Sequence, residues 1–311
     1  MPLVVEDVVD NEVFLEAGNI FFYFQEVKTD RWLQMWNLVK KIVLCLSLLE
    51  SISLAAPVTL ATWNIRYANA KDSVEGNGWH VRVQKIVDVV RFYDFDVLAV
   101  QEPDSNQVRD LASLLPEYDY VQTDSVYFHP IFYKRGMFTP VESGMFWYSQ
   151  SGVPAEKGWD ARYVRFCSWV NLEYEGQNFY VFNSHWDHKG RNARKESAKL
   201  ALTQVKRIAG PERIVFTGDL NTDTDSSPYN TLKESALLED SKDLALVRYM
   251  PNKTFTAFNV NAYAGWQLDH IFVNPQLQIM KYGILNDRYH DGEKWRYPSD
   301  HLPVMIKFNM E

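Results

Sequence analysis

Three short segments of this chain carry side chains able to orient a phosphate, a metal ion or an attacking water. Gly218-Asp219-Leu220-Asn221 follows the apolar run Ile214-Val215-Phe216-Thr217. Ser299-Asp300-His301-Leu302-Pro303 lies near the C-terminus, and Gln101-Glu102 closes the run Val97-Leu98-Ala99-Val100. Acidic residues at the ends of separate buried strands usually converge on a hydrolytic or metal site. Asp219 and Asn221, two apart beyond a strand, can reach one oxygen. The carboxylate accepts a proton from water while the amide donates to a phosphoryl oxygen. Gly218 lets the backbone turn closely there. Glu102 suits a hard cation, because Mg²⁺ takes one or two carboxylates plus substrate oxygens. Asp269-His270 and Asp300-His301 each precede a strand. A distant aspartate can orient a histidine, fix its tautomer and stabilise its charged form.

Two further strand ends are polar. Asn64 sits in Thr62-Trp63-Asn64-Ile65-Arg66, and Asn183-Ser184-His185-Trp186-Asp187-His188 ends another apolar run. If that strand continues, His185 and Asp187 share a face and Trp186 and His188 take the other. The His-x-Asp-His spacing also admits zinc, but no second histidine pair or usable cysteine pair accompanies it. Lys189, Arg191 and Arg194 either contact a phosphate or decorate a helix start. Taken singly, an Asx-turn at Asp219 or a solvated Glu102 is the plainer account. Polar clusters at so many strand ends are hard to obtain by accident.

The elements that must position these residues alternate. Strands are expected over Val58–Tyr67, Val97–Val100, Ile131–Tyr133, Arg165–Glu173, Asn178–Asn183, Arg213–Thr217, His270–Val273, Gln278–Ile284 and Val304–Phe308. Helices are expected over Val81–Phe92, over Gln107–Leu115 ahead of Pro116, and over Asn192–Ile208 ahead of Gly210-Pro211. Many strands with a few helices and no long linker predict a layered α/β sandwich. Phe146-Trp147-Tyr148, Trp159 and Trp169 read as core aromatics rather than base-stacking ones.

Composition allows a large core, in one big domain or two small ones: 311 residues, 46% hydrophobic, 23% charged. A formal charge of −8 argues against non-specific nucleic-acid binding by phosphate screening. The N-terminus reads differently. Residues 35–41 are a short basic lead, Ile42 to Leu49 is apolar, and Ser53-Leu54-Ala55-Ala56-Pro57 offers small residues for cleavage. That is a signal-peptide pattern, so residues 35–56 are expected to be the leader and residues 1–34 an upstream extension before the true start at Met35. The apolar run is too short to span a bilayer. Residues 57–311 are then expected to form the mature domain, with Cys167 alone and no internal disulfide.

These motifs together resemble the endonuclease/exonuclease/phosphatase superfamily, in particular its secreted bacterial branch. The likeness runs from about Val58 to Phe308, on Trp63-Asn64-Ile65-Arg66, Gln101-Glu102, Asn183-Ser184-His185, Gly218-Asp219-Leu220-Asn221, Leu268-Asp269-His270-Ile271-Phe272 and Ser299-Asp300-His301. Gly158-Trp159-Asp160-Ala161 adds to it. The resemblance implies a four-layer α/β sandwich with two central mixed β-sheets flanked by helices. It implies hydrolysis of a phosphoester, most often a phosphodiester, with Mg²⁺ or Mn²⁺. It places Glu102 on the cation with Asp300 and Asn64 close by. Asp219 would activate water and Asn221 hold the phosphate. His301, partnered by Asp269, and His185 would contact the scissile phosphate, with Arg191 and His188 on the phosphate side. The expected partner is a phosphorylated substrate: a nucleic acid, a phospholipid headgroup or a sugar phosphate. The protein is expected to be a monomer, secreted or periplasmic. The contrasting expectation is a catalytically silent phospho-ligand-binding module on the same fold. One departure stands out: Ser125-Val126-Tyr127-Phe128-His129-Pro130 replaces a longer, more polar loop, so the resemblance leaves the substrate open.

Overall fold

A computed structural model describes residues 4–9, 12–17, 20–24, 36–41, 56–261 and 265–310. The chain divides into two compact units, Met1–Leu54 and Ala55–Glu311. In the first, the strands Val4–Val9, Glu12–Ala17 and Ile20–Phe24 form an antiparallel sheet, and residues 36–41 are helical. The apolar run expected at residues 42–49 lies outside the described residues. Among those described, no helix is long and apolar enough to cross a membrane.

The second unit contains, in chain order, β1 (Val58–Asn64), α1 (Ala70–Val74), α2 (Trp79–Phe92), β2 (Val97–Gln101), α3 (Ser105–Leu114), β3 (Tyr118–Val121), β4 (Ile131–Lys134) and β5 (Thr139–Trp147). There follow β6 (Phe166–Tyr174), β7 (Gln177–His185), α4 (Arg191–Ala209), β8 (Arg213–Asp219), α5 (Ser227–Lys233), β9 (Glu239–Asp240), α6 (Ser241–Leu244) and β10 (Val247–Tyr249). Last come β11 (Asp269–Val273), β12 (Gln278–Ile284), the short β13 (Tyr289–His290) and β14 (Trp295–Arg296), and β15 (Val304–Asn309). One sheet has the order β10-β12-β15-β1-β2-β4-β3, the other β9-β11-β8-β7-β6-β5. Each mixes parallel and antiparallel pairs; β1–β2 and β7–β8 are parallel.

Strand alternation explains the layering. Leu60, Val97, Val181, Val215 and Ile306 share the core between the two sheets. Their neighbours Ala61, Leu98 and Val100 turn outward under α2 and α3, packing on Ile86, Val90 and Leu111. Tyr180, Phe182, Ile214 and Phe216 turn outward under α4 and α5. Strands buried on both faces need apolar residues at consecutive positions, which is why these runs carry few polar breaks. The result is the four-layer sandwich that the family resemblance implies. Helix α3 starts at a capping box, with Asp104 accepting from the backbone of Asn106 and Gln107 and the Gln107 side chain answering.

Three boundaries differ from expectation in ways that matter. β1 stops at Asn64, because Arg66 is left-handed at φ 60. β7 stops at His185, so Asp187 lies in a loop and not on the face of His185. β5 has no expected counterpart: it is an edge strand, exposed over Thr139 to Glu142 and containing Pro140 and Gly144, so it lacks an alternating signature. The aromatics Phe146, Trp147, Tyr148 and Trp169 are buried, as expected.

Candidate active site

Register alone brings the polar strand ends together. In one sheet His185 pairs with Asp219, and Asp219 with Asp269. In the other Asn64 pairs with Gln101. A buried bridge fixes the two sheets just beneath: Gln101 Nε2 donates to Asn183 Oδ1 at 2.7 Å, and Asn183 Nδ2 donates to the Val100 carbonyl at 2.9 Å. Three of the strand exits then turn through left-handed backbone, at Arg66 (φ 60), Glu102 (φ 65) and Asn221 (φ 49). Each such turn costs a non-glycine residue roughly 1–2 kcal/mol, a strain that clusters at functional sites. Gly218, at φ 139, crosses tight against β7: a Cβ there would lie 1.8 Å from the Ser184 carbonyl oxygen.

The ends open into one cleft of about 1130 Å³. Asp219 is buried at its centre. Its Oδ2 accepts from Asn64 Nδ2 at 2.9 Å, and its Oδ1 accepts from the Asn221 backbone at 2.9 Å. His185 Nε2 lies 3.4 Å and His301 Nε2 3.7 Å from Asp219 Oδ2. His301 Nδ1 is 2.8 Å from Asp269 Oδ2. Asn221 Nδ2 donates one proton to the Trp186 carbonyl at 2.9 Å, which leaves its second proton for the cleft. Asn64 is engaged at both ends of its amide, since Oδ1 accepts from the Arg66 backbone at 3.0 Å.

The four acids fall into two kinds. Asp219 is held through both oxygens by short hydrogen bonds, and Asp269 through Oδ2 alone, its Oδ1 buried without a partner among the described residues. Among the described residues Glu102 is approached by the Tyr67 N–H at 3.4 Å and by His185 Nε2 at 4.0 Å, with no shorter hydrogen bond. The Asp300 carboxylate has Ser299 Oγ at 3.4 Å and Arg66 Nη1 at 3.7 Å. Two carboxylates facing a cleft without strong partners are the donor set a hard divalent cation uses. Glu102, His185 and Asp219 also place one ligand atom each within 4.8 Å of one another, as do Asp219, Asp269 and His301.

Environment sorts the protons. Burial pushes Asp219 up to about 7; the His301 charge pulls it back, and Asp269 adds to the push. Burial opposes a charge on His301, yet Asp269 and Asp219 hold it well above the ordinary imidazole range. His185 goes the other way: burial, then Arg165, hold it well below. The site thus contains one charged and one neutral imidazole on either side of a carboxylate that titrates near neutrality. That is the separation of environments from which acid–base pairs are built.

Of the residues expected from sequence, His185, Asp219, Asn221, Asp269, Asn64 and His301 meet through these contacts. Glu102 and Asp300 line the same cleft. Arg191 and His188 line it too, but among the described residues neither hydrogen-bonds the floor. Arg191 is the first residue of α4, whose backbone is capped by Asp160 Oδ1 at 2.6 Å from Ala193 N. His188 stacks on Tyr163, centroids 5.6 Å apart. Asp187 is not a metal ligand by its contacts. Its oxygens take the backbone N–H groups of Arg162, Tyr163, Lys189 and Gly190 at 2.7–3.0 Å, so it organises the loop. Sequence reading missed Arg165, His129, Phe255 and Trp266, which also line the cleft. Only the shortened loop before Ile131 hinted at His129. Arg66 was legible as part of its motif, but not its Nε contact to Asp72 at 2.8 Å.

A family model described as the Endonuclease/Exonuclease/phosphatase family matches residues 61–301, and the chain belongs to this family. Among solved structures, it is similar to an endonuclease/exonuclease/phosphatase family protein from Bacteroides thetaiotaomicron. The two are 36% identical, with a TM-score of 0.79, over 83% of this chain and 99% of that one. A mannosyl-6-phosphatase from the same organism is 37% identical, with a TM-score of 0.78 over 81% and 99% of the two chains. TDP2 of D. rerio, complexed with a single strand DNA product, shares the fold at 18% identity and a TM-score of 0.63, over 81% and 99%. No curated protein matches the chain.

Proposed function

We propose that the chain is a divalent-metal-dependent hydrolase of phosphoester bonds, with water attacking phosphorus in line. One observation carries the reading. Asp219 in the cleft and Asp269 beneath His301 are tied into hydrogen bonds, while Glu102 and Asp300, which line the same cleft, keep carboxylate oxygens without a strong partner. Glu102 and Asp300 would hold Mg²⁺ or Mn²⁺. The bound cation would supply charge neutralisation at a non-bridging phosphate oxygen and at the departing alkoxide.

The chain's own residues do the rest. Asp219, fixed at both oxygens by Asn64 and Asn221, takes a proton from the attacking water. Charged His301, held by Asp269, and the free proton of Asn221 Nδ2 donate to the phosphoryl oxygens, where negative charge grows. His185, neutral, packs beside Asp219 and keeps a ring nitrogen toward the phosphate. Phosphoryl transfer leaves little covalent work, so positioning and charge supply most of the catalysis. The sequence points to a phosphodiester, whereas the likeness to a mannosyl-6-phosphatase favours a sugar phosphate. The leader-like segment at residues 35–56 supports a secreted or periplasmic location, and the protein is taken as a monomer.

The test is hydrolysis by the full chain of plasmid DNA, RNA, inositol phosphates, sphingomyelin, mannose 6-phosphate and aryl phosphate mono- and diesters, with Mg²⁺, with Mn²⁺ and after chelation. Metal-dependent turnover of any of these is expected. Tight phosphate-ligand binding with no turnover on any substrate instead identifies a silent binding module.

A further inference from the structure

The ladder between β1 and β15 ends at the Thr62–Val304 pair. Asn64 and Asp300 lie beyond it, so side chains must set the gap between these two exits. Trp63 Nε1 donates to the His301 carbonyl at 2.9 Å, and Ser299 Oγ donates to the Asn64 carbonyl at 2.7 Å. Arg82 of α2 adds a third and wider tie. Its Nη1 donates to the Ile65 carbonyl and to the Pro298 carbonyl, both at 2.8 Å. Its Nε donates to the Asn77 carbonyl at 2.7 Å, and its Nη2 to the Arg66 carbonyl at 3.2 Å. Four of the five guanidinium donors thus go to backbone oxygens of three separate segments.

This arginine is fully buried, with the Trp79 and Phe258 rings each 5.5 Å from its guanidinium carbon. Burial opposes its charge, and Asp300 and then Asp72 offset that from a distance. A buried cation met by carbonyls is a poor device for stability alone, since an apolar side chain fills the same space with no charge to desolvate. No apolar side chain could hold three segments at once. The tie also reaches β2. Ile65 N donates to the Gln101 carbonyl at 3.2 Å, one residue before Glu102, and Pro298 stands two residues before Asp300. Arg82 Nη1 therefore bridges the exit that carries Glu102 and the exit that carries Asp300.

We propose that Arg82 is a positioning residue for the cation site, fixing the Glu102 exit against the Asp300 exit at the spacing a divalent ion needs. The assignment rests on the phosphoester-hydrolase reading, in which these two carboxylates hold Mg²⁺ or Mn²⁺, and adds what sets their separation. Arg82 is not one of the residues lining the cleft, so it acts through the backbone and not on the ion. Lysine keeps the charge but offers its donors at one point, so it cannot span Asn77, Ile65 and Pro298 as the planar fork does. Ligands that shift by about 1 Å lose most of what positioning supplies.

The experiment measures Mn²⁺ binding to the full chain by electron paramagnetic resonance, for wild type, Arg82→Lys, Arg82→Gln and Ser299→Ala. Melting curves establish folding, and binding is read well below the lowest midpoint. Amide hydrogen exchange without metal, followed by mass spectrometry, reports on residues 64–68 and 298–302. Arg82→Gln should weaken Mn²⁺ binding roughly 10- to 100-fold, the range for losing a supporting contact at a metal site. Arg82→Lys should show most of that loss although the charge stays. Ser299→Ala removes one neighbouring tie and should weaken binding a few fold. Exchange in both segments should quicken in each variant while β7 and β8 stay protected. Folded Arg82 variants with wild-type Mn²⁺ affinity overturn the proposal, because a merely structural arginine lowers the melting point alone. Should neither Arg82 variant fold, Ser299→Ala decides. Weaker binding with faster exchange then upholds the proposal; wild-type affinity, or weaker binding without faster exchange, overturns it. Should wild type bind no Mn²⁺, the metal-dependent reading fails on its own. Faster exchange confined to the two exits in Arg82→Gln then upholds the tie between them, and unchanged exchange overturns it.

Discussion

Replacing Asp269 with asparagine separates charge from shape at the heart of the site. Asp269 is fully buried, and its Oδ2 faces His301 Nδ1 at 2.8 Å. The amide keeps the size and can keep the contact, but it removes the first of the carboxylates that hold His301 charged against the penalty of burial. A hydrogen bond to a charged group contributes about 1.5–3 kcal/mol. If it acts on the transition state, its loss lowers kcat roughly 10- to 150-fold. The pH effect has a definite sign. Activity that needs protonated His301 is present below the folded-state pKa and is lost above it. Asp269→Asn lowers that pKa, so the alkaline limb of kcat must move to lower pH. A pH–rate profile measures the limb, NMR titration of the imidazole ring measures His301 directly, and a melting curve establishes folding. A folded variant with unchanged kcat and an unmoved limb would refute the assignment of His301 as the charged donor.

Other expectations follow from single contacts. Gly218→Ala drives a Cβ against the Ser184 carbonyl oxygen across the β7–β8 pair, and should cost about 3 kcal/mol or more with loss of activity; an unchanged urea midpoint contradicts this. Cys167 is fully buried, and burial holds its thiol protonated. Cys167→Ser should leave kcat/KM unchanged while costing about 1–3 kcal/mol of stability for the buried hydroxyl, and a folded variant with a large activity loss would reveal a thiol role. Burial, then Arg165, push His129 down to about 3, so its neutral form contributes stability that is complete above the unfolded pKa near 6.5 and is lost as pH falls toward 3. Wild type should lose up to about 1.4 kcal/mol per pH unit through this one group, and His129→Gln should flatten the slope in urea midpoints by that share.

Residue pattern alone implied a layered sandwich and placed a set of polar side chains at its strand ends. Runs such as Val97-Leu98-Ala99-Val100 and Ile214-Val215-Phe216 are apolar at every position, which only a strand covered on both faces requires, and the polar residue ending each run had to emerge at a sheet edge. Asn64, Glu102, His185 and Asp219 were legible for that reason, and Asp269 and His301 from the opposite position, ahead of a strand. Tertiary structure decided what the side chains do there. Asp187 looked like a partner of His185 until β7 ended two residues earlier and the carboxylate closed a loop. β5 was hidden because an exposed edge strand has no buried face to pattern it. Asp219 and Asp300 look alike in sequence; one is bound by Asn64, while the other lacks a short hydrogen bond. Arg165 reads as any arginine before a strand. Its place on the cleft wall, and a buried Nε with no acceptor among the described residues, are properties of three-dimensional neighbours, not of residue type or spacing.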